Sequence, residues 1–154
     1  MAIYYHDTSA VVKRYRTEVG TAVINQLMGE PDAIHFISGL GPVEFKSALA
    51  KHVRMGDITK VEAQQLDQRF RFDVANGQLR VLRLLVRHLK TAGRLIDQYA
   101  PTHSLRTLDA IQLAVALDLH QHHRLDFFVC ADTALCAIAI AEGLAVINPV
   151  THTP

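Results

Sequence analysis

Short apolar runs of strand length alternate with helix-length amphipathic stretches from one end of the chain to the other, and no other feature restricts the fold as much. A strand, a helix and a further strand return parallel to the first, because a connection that long crosses the face of a sheet instead of turning back as a hairpin. Strands are expected near 2–6, 33–38, 79–83, 126–131 and 144–148. Helices are expected over 8–17, 19–28, 42–55, 60–75, 85–99, 108–121 and 133–142. The class is therefore α/β, with a mainly parallel sheet of about five strands covered by helices, and 154 residues suit one domain over 1–154.

Local chemistry supports these boundaries. Pro42 fits the first position of a helix, where its missing N–H costs nothing. Thr59-Lys60-Val61-Glu62 has the spacing of a capping box, Asn76-Gly77 ends that helix, and Gly56 and Gly143 are natural stops. Ser104 or Thr107 can cap the helix over 108–121. That helix is apolar around most of its circumference through Ile111, Leu113, Ala114, Val115 and Leu117, as a helix wedged into the interior must be.

Four acids far apart in the chain sit where strands end or helices begin. Asp7 closes Ile3-Tyr4-Tyr5 and precedes Thr8-Ser9; Asp132 closes Phe127-Phe128-Val129-Cys130-Ala131 and precedes Thr133. Glu44 and Asp109 fall in the first turns of two other helices. In an open parallel sheet, ligand crevices form outside the carboxyl ends of the strands, so junction residues converge. Each acid alone is explained by helix capping and the helix dipole. Together they would repel, by up to ~4 kcal/mol for a close pair at an effective dielectric of about 20, and a bound cation relieves that repulsion. Oxygen-only ligands suit a hard divalent ion, Mg²⁺ or Mn²⁺, and metal-assisted attack on a phosphodiester.

Four segments carry a family likeness: 5–13 around Asp7, 43–49 around Glu44, 105–114 around Asp109 and 128–132 around Asp132. In order and separation they resemble PIN-domain ribonucleases, most closely VapC-type toxins of toxin–antitoxin operons. The resemblance implies a three-layer α/β/α domain whose acids hold one or two Mg²⁺ or Mn²⁺ ions and cleave single-stranded regions of RNA. Asp7, Glu44 and Asp109 match the three acids usually present, Asp132 the more variable fourth, with Thr8, Ser9 and Thr133 as supporting hydroxyl residues. Water would attack, leaving a 5′-phosphate and a 3′-hydroxyl. A homodimer and an antitoxin occupying the groove are further implications. The alternative is a non-catalytic domain of the same fold that binds RNA or a protein.

RNA needs cations outside the pocket. Lys46 and Lys51, following Glu44, are the candidates, whereas Arg87, Lys90 and Arg94 read as a solvated helix face bridged to acids. Tyr4, Tyr5 and Phe72 are expected in the core. A formal charge of +1 decides no partner. The longest purely apolar run, 134–141, is far below a membrane span and Asp7 interrupts the first hydrophobic stretch, so a soluble, cytoplasmic protein is expected. Cys130 and Cys136 read as buried free thiols.

Gly39-Leu40-Gly41-Pro42-Val43-Glu44 sits like a dinucleotide fingerprint, but a carboxylate at its third glycine position repels pyrophosphate. His120, His122 and His123 crowd a helix C-terminus, where the dipole favours them without metal. His6 receives no role. Phosphotransfer at Asp7 lacks the second Asp two residues on that a phosphatase pattern wants.

Overall fold

The computed structural model describes residues 1–122 and 124–152. Five strands, β1 (Ile3–His6), β2 (Ile34–Ser38), β3 (Arg80–Leu82), β4 (Phe127–Val129) and β5 (Val146–Ile147), pair in the order β3-β2-β1-β4-β5, all parallel. Among the described residues the helices are α1 (Thr8–Tyr15), α2 (Thr21–Met28), α3 (Gly41–Met55), α4 (Lys60–Ala75), α5 (Val86–Tyr99), α6 (Thr107–Gln121) and α7 (Thr133–Ala141). Every expected element is present, with ends that coincide or differ by at most two residues.

Alternation along the strands sorts the helices into two layers. Tyr5 is in register with Phe36 and Phe128, and these side chains face α5, α6 and α7. Their neighbours Tyr4 and Val129 face α1 and α2, while Ile37 packs with α1, α3 and α4. Because successive strand residues point to opposite faces, one short strand serves both cores. The sheet is thus buried on both sides, which explains why its strands read as continuous apolar runs.

As its composition requires, α6 is the interior helix: Ala110, Leu113, Ala114, Val115, Ala116 and Leu117 are all buried. Burying each Leu or Val contributes about 1.5–3 kcal/mol. On the opposite layer, Phe45 and Phe70 stack with centroids 4.4 Å apart, and Tyr15 meets both edge-on. This aromatic triad locks α3 against α1 and α4. Phe72, expected inside, is 65% exposed. Two residues turn a helix by about 200°, so the inward position taken by Phe70 leaves Phe72 on the solvent side.

The capping box is formed, with Glu62 N–H donating to Thr59 Oγ1 (3.1 Å) and Thr59 N–H to Glu62 (2.6 Å). Gly56 and Gly143 end α3 and α7 with φ of 79° and 91°, the left-handed region that side chains disfavour. The expected cap of α6 is corrected: Arg106 occupies the N-cap and no side chain caps it. Thr107 is already the first helical residue, and Ser104 lies too far upstream.

Candidate active site

The strand order reverses direction at β1. One crossover runs outward to β2, another to β4, and a crevice opens beyond the carboxyl ends of β1 and β4 where the two diverge. Asp7 follows β1 directly, and Asp132 follows β4 as the N-cap of α7. Glu44 and Asp109 stand in the first turns of α3 and α6. All four line one cleft of about 450 Å³, together with Thr8, Ser9, Ser47, Lys51 and Arg106. Convergence of distant acids, expected from their places in the sequence, is therefore realised.

Asp7 is buried, and its Oδ2 accepts from Ser9 N–H (3.0 Å) and Ser9 Oγ (2.5 Å), with the Cys130 thiol 3.9 Å away. Its capping role and its place in the cleft are thus compatible: one oxygen caps α1, and Oδ1 accepts no hydrogen bond among the described residues. Burial raises its pKa from 3.8 to about 6, reinforced by the charges of Glu44 and Asp109 and opposed by the bonds from Ser9. Repulsion among the acids is present in the structure.

Glu44 is held by neutral donors. Thr8 Oγ1 donates to its Oε2 (3.0 Å), as does the side-chain amide of Gln112, and Gln112 is itself oriented by the Tyr5 hydroxyl (2.5 Å). Burial raises the Glu44 pKa, against the lowering effect of these two donors. Thr8 therefore serves Glu44, and Ser9 serves Asp7.

Asp109 and Asp132 are held differently. The guanidinium of Arg106 lies against Asp109 (Nε to Oδ2, 2.8 Å) and 3.9 Å from Asp132, whose Oδ1 caps α7 by accepting from Leu135 N–H. Sequence reading passed over both Arg106 and Gln112. Their only signal was position, one turn before and one turn after the carboxylate of Asp109.

Of the two candidate RNA-contacting lysines, Lys46 pairs with Asp67 (3.0 Å) and does not line the cleft, whereas Lys51 does. Lys46 and Lys51 are five residues apart on α3, so they cannot share its cleft-facing side. Thr133 borders a separate depression beside β5. In the outer stripe Arg87 forks onto Asp118 and Arg94 onto Glu142, as read. His6 is buried against His35 (2.9 Å) and does not line the cleft. His122 bonds the Asp118 carbonyl, and His123 lies outside the described residues. Cys130 and Cys136 are free and buried.

A hard divalent cation fits the donor chemistry: oxygen ligands only, Asp7 Oδ1 and Glu44 Oε1 accepting no hydrogen bond among the described residues, and an Asp7 carboxylate disfavoured first by burial and then by its like-charged neighbours. Among the described residues no three acidic, histidine or cysteine side chains stand close enough to cage an ion as placed. Asp109 and Asp132 are instead turned to Arg106.

Residues 4–141 match the PIN-domain family. Over 118 residues, 76% of this chain and 76% of the relative, the sequence is 33% identical to Ribonuclease VapC45 of Mycobacterium tuberculosis. Among solved structures, Mycobacterium tuberculosis VapC20, a Sarcin-Ricin loop cleaving toxin, superimposes with a TM-score of 0.65 at 13% identity, covering 92% of this chain and 96% of that one. A toxin-antitoxin complex from Klebsiella pneumoniae gives 0.61 at 20% identity, over 97% and 98%. At these identities the structural matches speak for the fold.

Proposed function

Because the chain belongs to the PIN-domain family, we propose that it is an endoribonuclease, the toxin of a toxin–antitoxin pair, whose acidic cleft works with Mg²⁺ or Mn²⁺. One observation carries this reading: Asp7, Glu44, Asp109 and Asp132, drawn from four separate segments, open into the same cleft at the carboxyl ends of β1 and β4. The ribonuclease relative, 33% identical over three quarters of the chain, supports the substrate class. The solved toxin–antitoxin complex of the same fold motivates a cognate antitoxin, and a homodimer completes the proposed assembly. The catalytic unit is one nuclease domain over 1–154.

Bound in the cleft, the cation would supply the positive charge that turns an acidic pocket attractive to phosphate and would lower the pKa of water. Asp7 and Glu44 offer their uncommitted oxygens to it, with Asp109 and Asp132 across the cleft. Ser9 fixes the plane of the Asp7 carboxylate, and Thr8 and Gln112 fix that of Glu44, so neither side chain has to be ordered when substrate arrives. Lys51, on the rim, meets the RNA backbone.

Purified protein is expected to cleave single-stranded RNA with Mg²⁺ or Mn²⁺ and to stop with chelator. Asp7→Asn and Asp109→Asn should each lower cleavage by about a hundredfold or more while circular dichroism stays unchanged. Unaltered cleavage in both variants would overturn the assignment.

A further inference from the structure

The four acids of the cleft are held in two pairs by opposite means. Asp7 and Glu44 are clamped by neutral donors, Ser9, Thr8 and Gln112, while Asp109 and Asp132 share a cation that belongs to the chain, Arg106. A divalent ion drawing on both pairs competes with that guanidinium for Asp109. The contact is suited to being lost. Arg106 sits at the N-cap of α6 with three quarters of its side chain exposed, and its partner is only three residues along the helix. Exposed pairs of this kind are weak.

Once displaced, the guanidinium stays charged, because arginine does not deprotonate in proteins. It keeps its fork of donors at the mouth of the same cleft, where a phosphodiester would lie. Arginine grips phosphate oxygens in pairs, a geometry its present engagement with Asp109 Oδ2 (2.8 Å) and Oδ1 (3.5 Å) already rehearses.

We propose that Arg106 is an exchangeable counter-ion: it holds Asp109 and Asp132 in the metal-free chain and passes to the RNA phosphodiester when a divalent cation takes those carboxylates. The inference rests on the nuclease reading above and adds a substrate-binding residue to it. It carries a signature with opposite signs, since the same side chain competes with metal and assists RNA. An arginine that merely staples the first turn of α6 has no such signature.

The test compares wild type with Arg106→Gln and Arg106→Lys. Mn²⁺ titration followed by electron paramagnetic resonance, without RNA, should show Arg106→Gln binding Mn²⁺ about fivefold more tightly, the scale of one exposed ion pair removed. At saturating Mn²⁺ the KM for a single-stranded oligoribonucleotide should rise about tenfold in the same variant. The slope of log(1/KM) against log salt should become shallower by about 0.7, one phosphate contact on a single strand. Arg106→Lys should restore the salt slope and recover only part of the KM. Mn²⁺ affinity unchanged or weaker in Arg106→Gln, or an unchanged salt slope, overturns the exchange. Failure of wild type itself to bind Mn²⁺ overturns instead the metal-nuclease reading beneath it.

Discussion

Asp7→Asn should stabilise the metal-free protein while removing its activity. A carboxyl lifted from 3.8 to about 6 carries roughly 3 kcal/mol of excess free energy in its ionised form, at about 1.4 kcal/mol per pH unit. The amide keeps an acceptor oxygen for the Ser9 N–H and hydroxyl, but those two bonds lose their charge assistance, a cost on the order of 1 kcal/mol. The net gain at neutral pH is then about 1–2 kcal/mol, or about 2–8 °C in Tm for a chain of this length. The sign follows from linkage. Stability contributed by the Asp7 proton is fully present below 3.8 and is lost as pH rises through about 6. The variant has no such loss, so its advantage should be negligible near pH 4, grow across the interval and level off above about pH 7. Thermal melts in chelator across this range measure it directly. Adding Mg²⁺ should erase or reverse the difference, since only wild type gains stability from tight binding. An Asn variant no more stable than wild type at pH 8 in chelator, or an advantage independent of pH, would refute the claim that burial and like charge hold Asp7 under electrostatic stress.

Two further outcomes follow from packing around the site. Gln112→Met keeps the volume of a buried side chain but strips the acceptor from the Tyr5 hydroxyl and a donor from Glu44, so chemical denaturation should show a loss of about 1–3 kcal/mol, and cleavage should fall because Glu44 is no longer held. Phe45→Ala removes the ring stacked on Phe70 beneath Glu44; the cost should be about 3–5 kcal/mol, read from the denaturant midpoint.

Legibility from sequence followed the range of the interaction. Strands and helices were readable because each is set by a local period and local punctuation, such as the Thr59–Glu62 box or Gly56, and the order of acids at strand ends was readable because a parallel α/β sheet has one functional pole. What escaped was side-chain partnership across the fold. Arg106 stood in the 105–114 segment without a role, since its meeting with Asp132 depends on how α6 sits beside α7. Gln112 received no role, since only the fold brings the Tyr5 hydroxyl of β1 and the Glu44 carboxylate of α3 against it. Phe72 was misjudged by its side of the helix: it lies on α4 as expected but faces solvent, since two residues from the inward Phe70 is more than half a turn.

The margins of the sheet constrain how this molecule can meet another. Its outermost strands, β3 and β5, are three and two residues long. So little free backbone offers scant template for extending the ladder into a neighbouring polypeptide. A partner protein would therefore meet side chains of helices and loops sooner than a strand edge, and such positions can be retuned one at a time while the inner scaffold stays as it is.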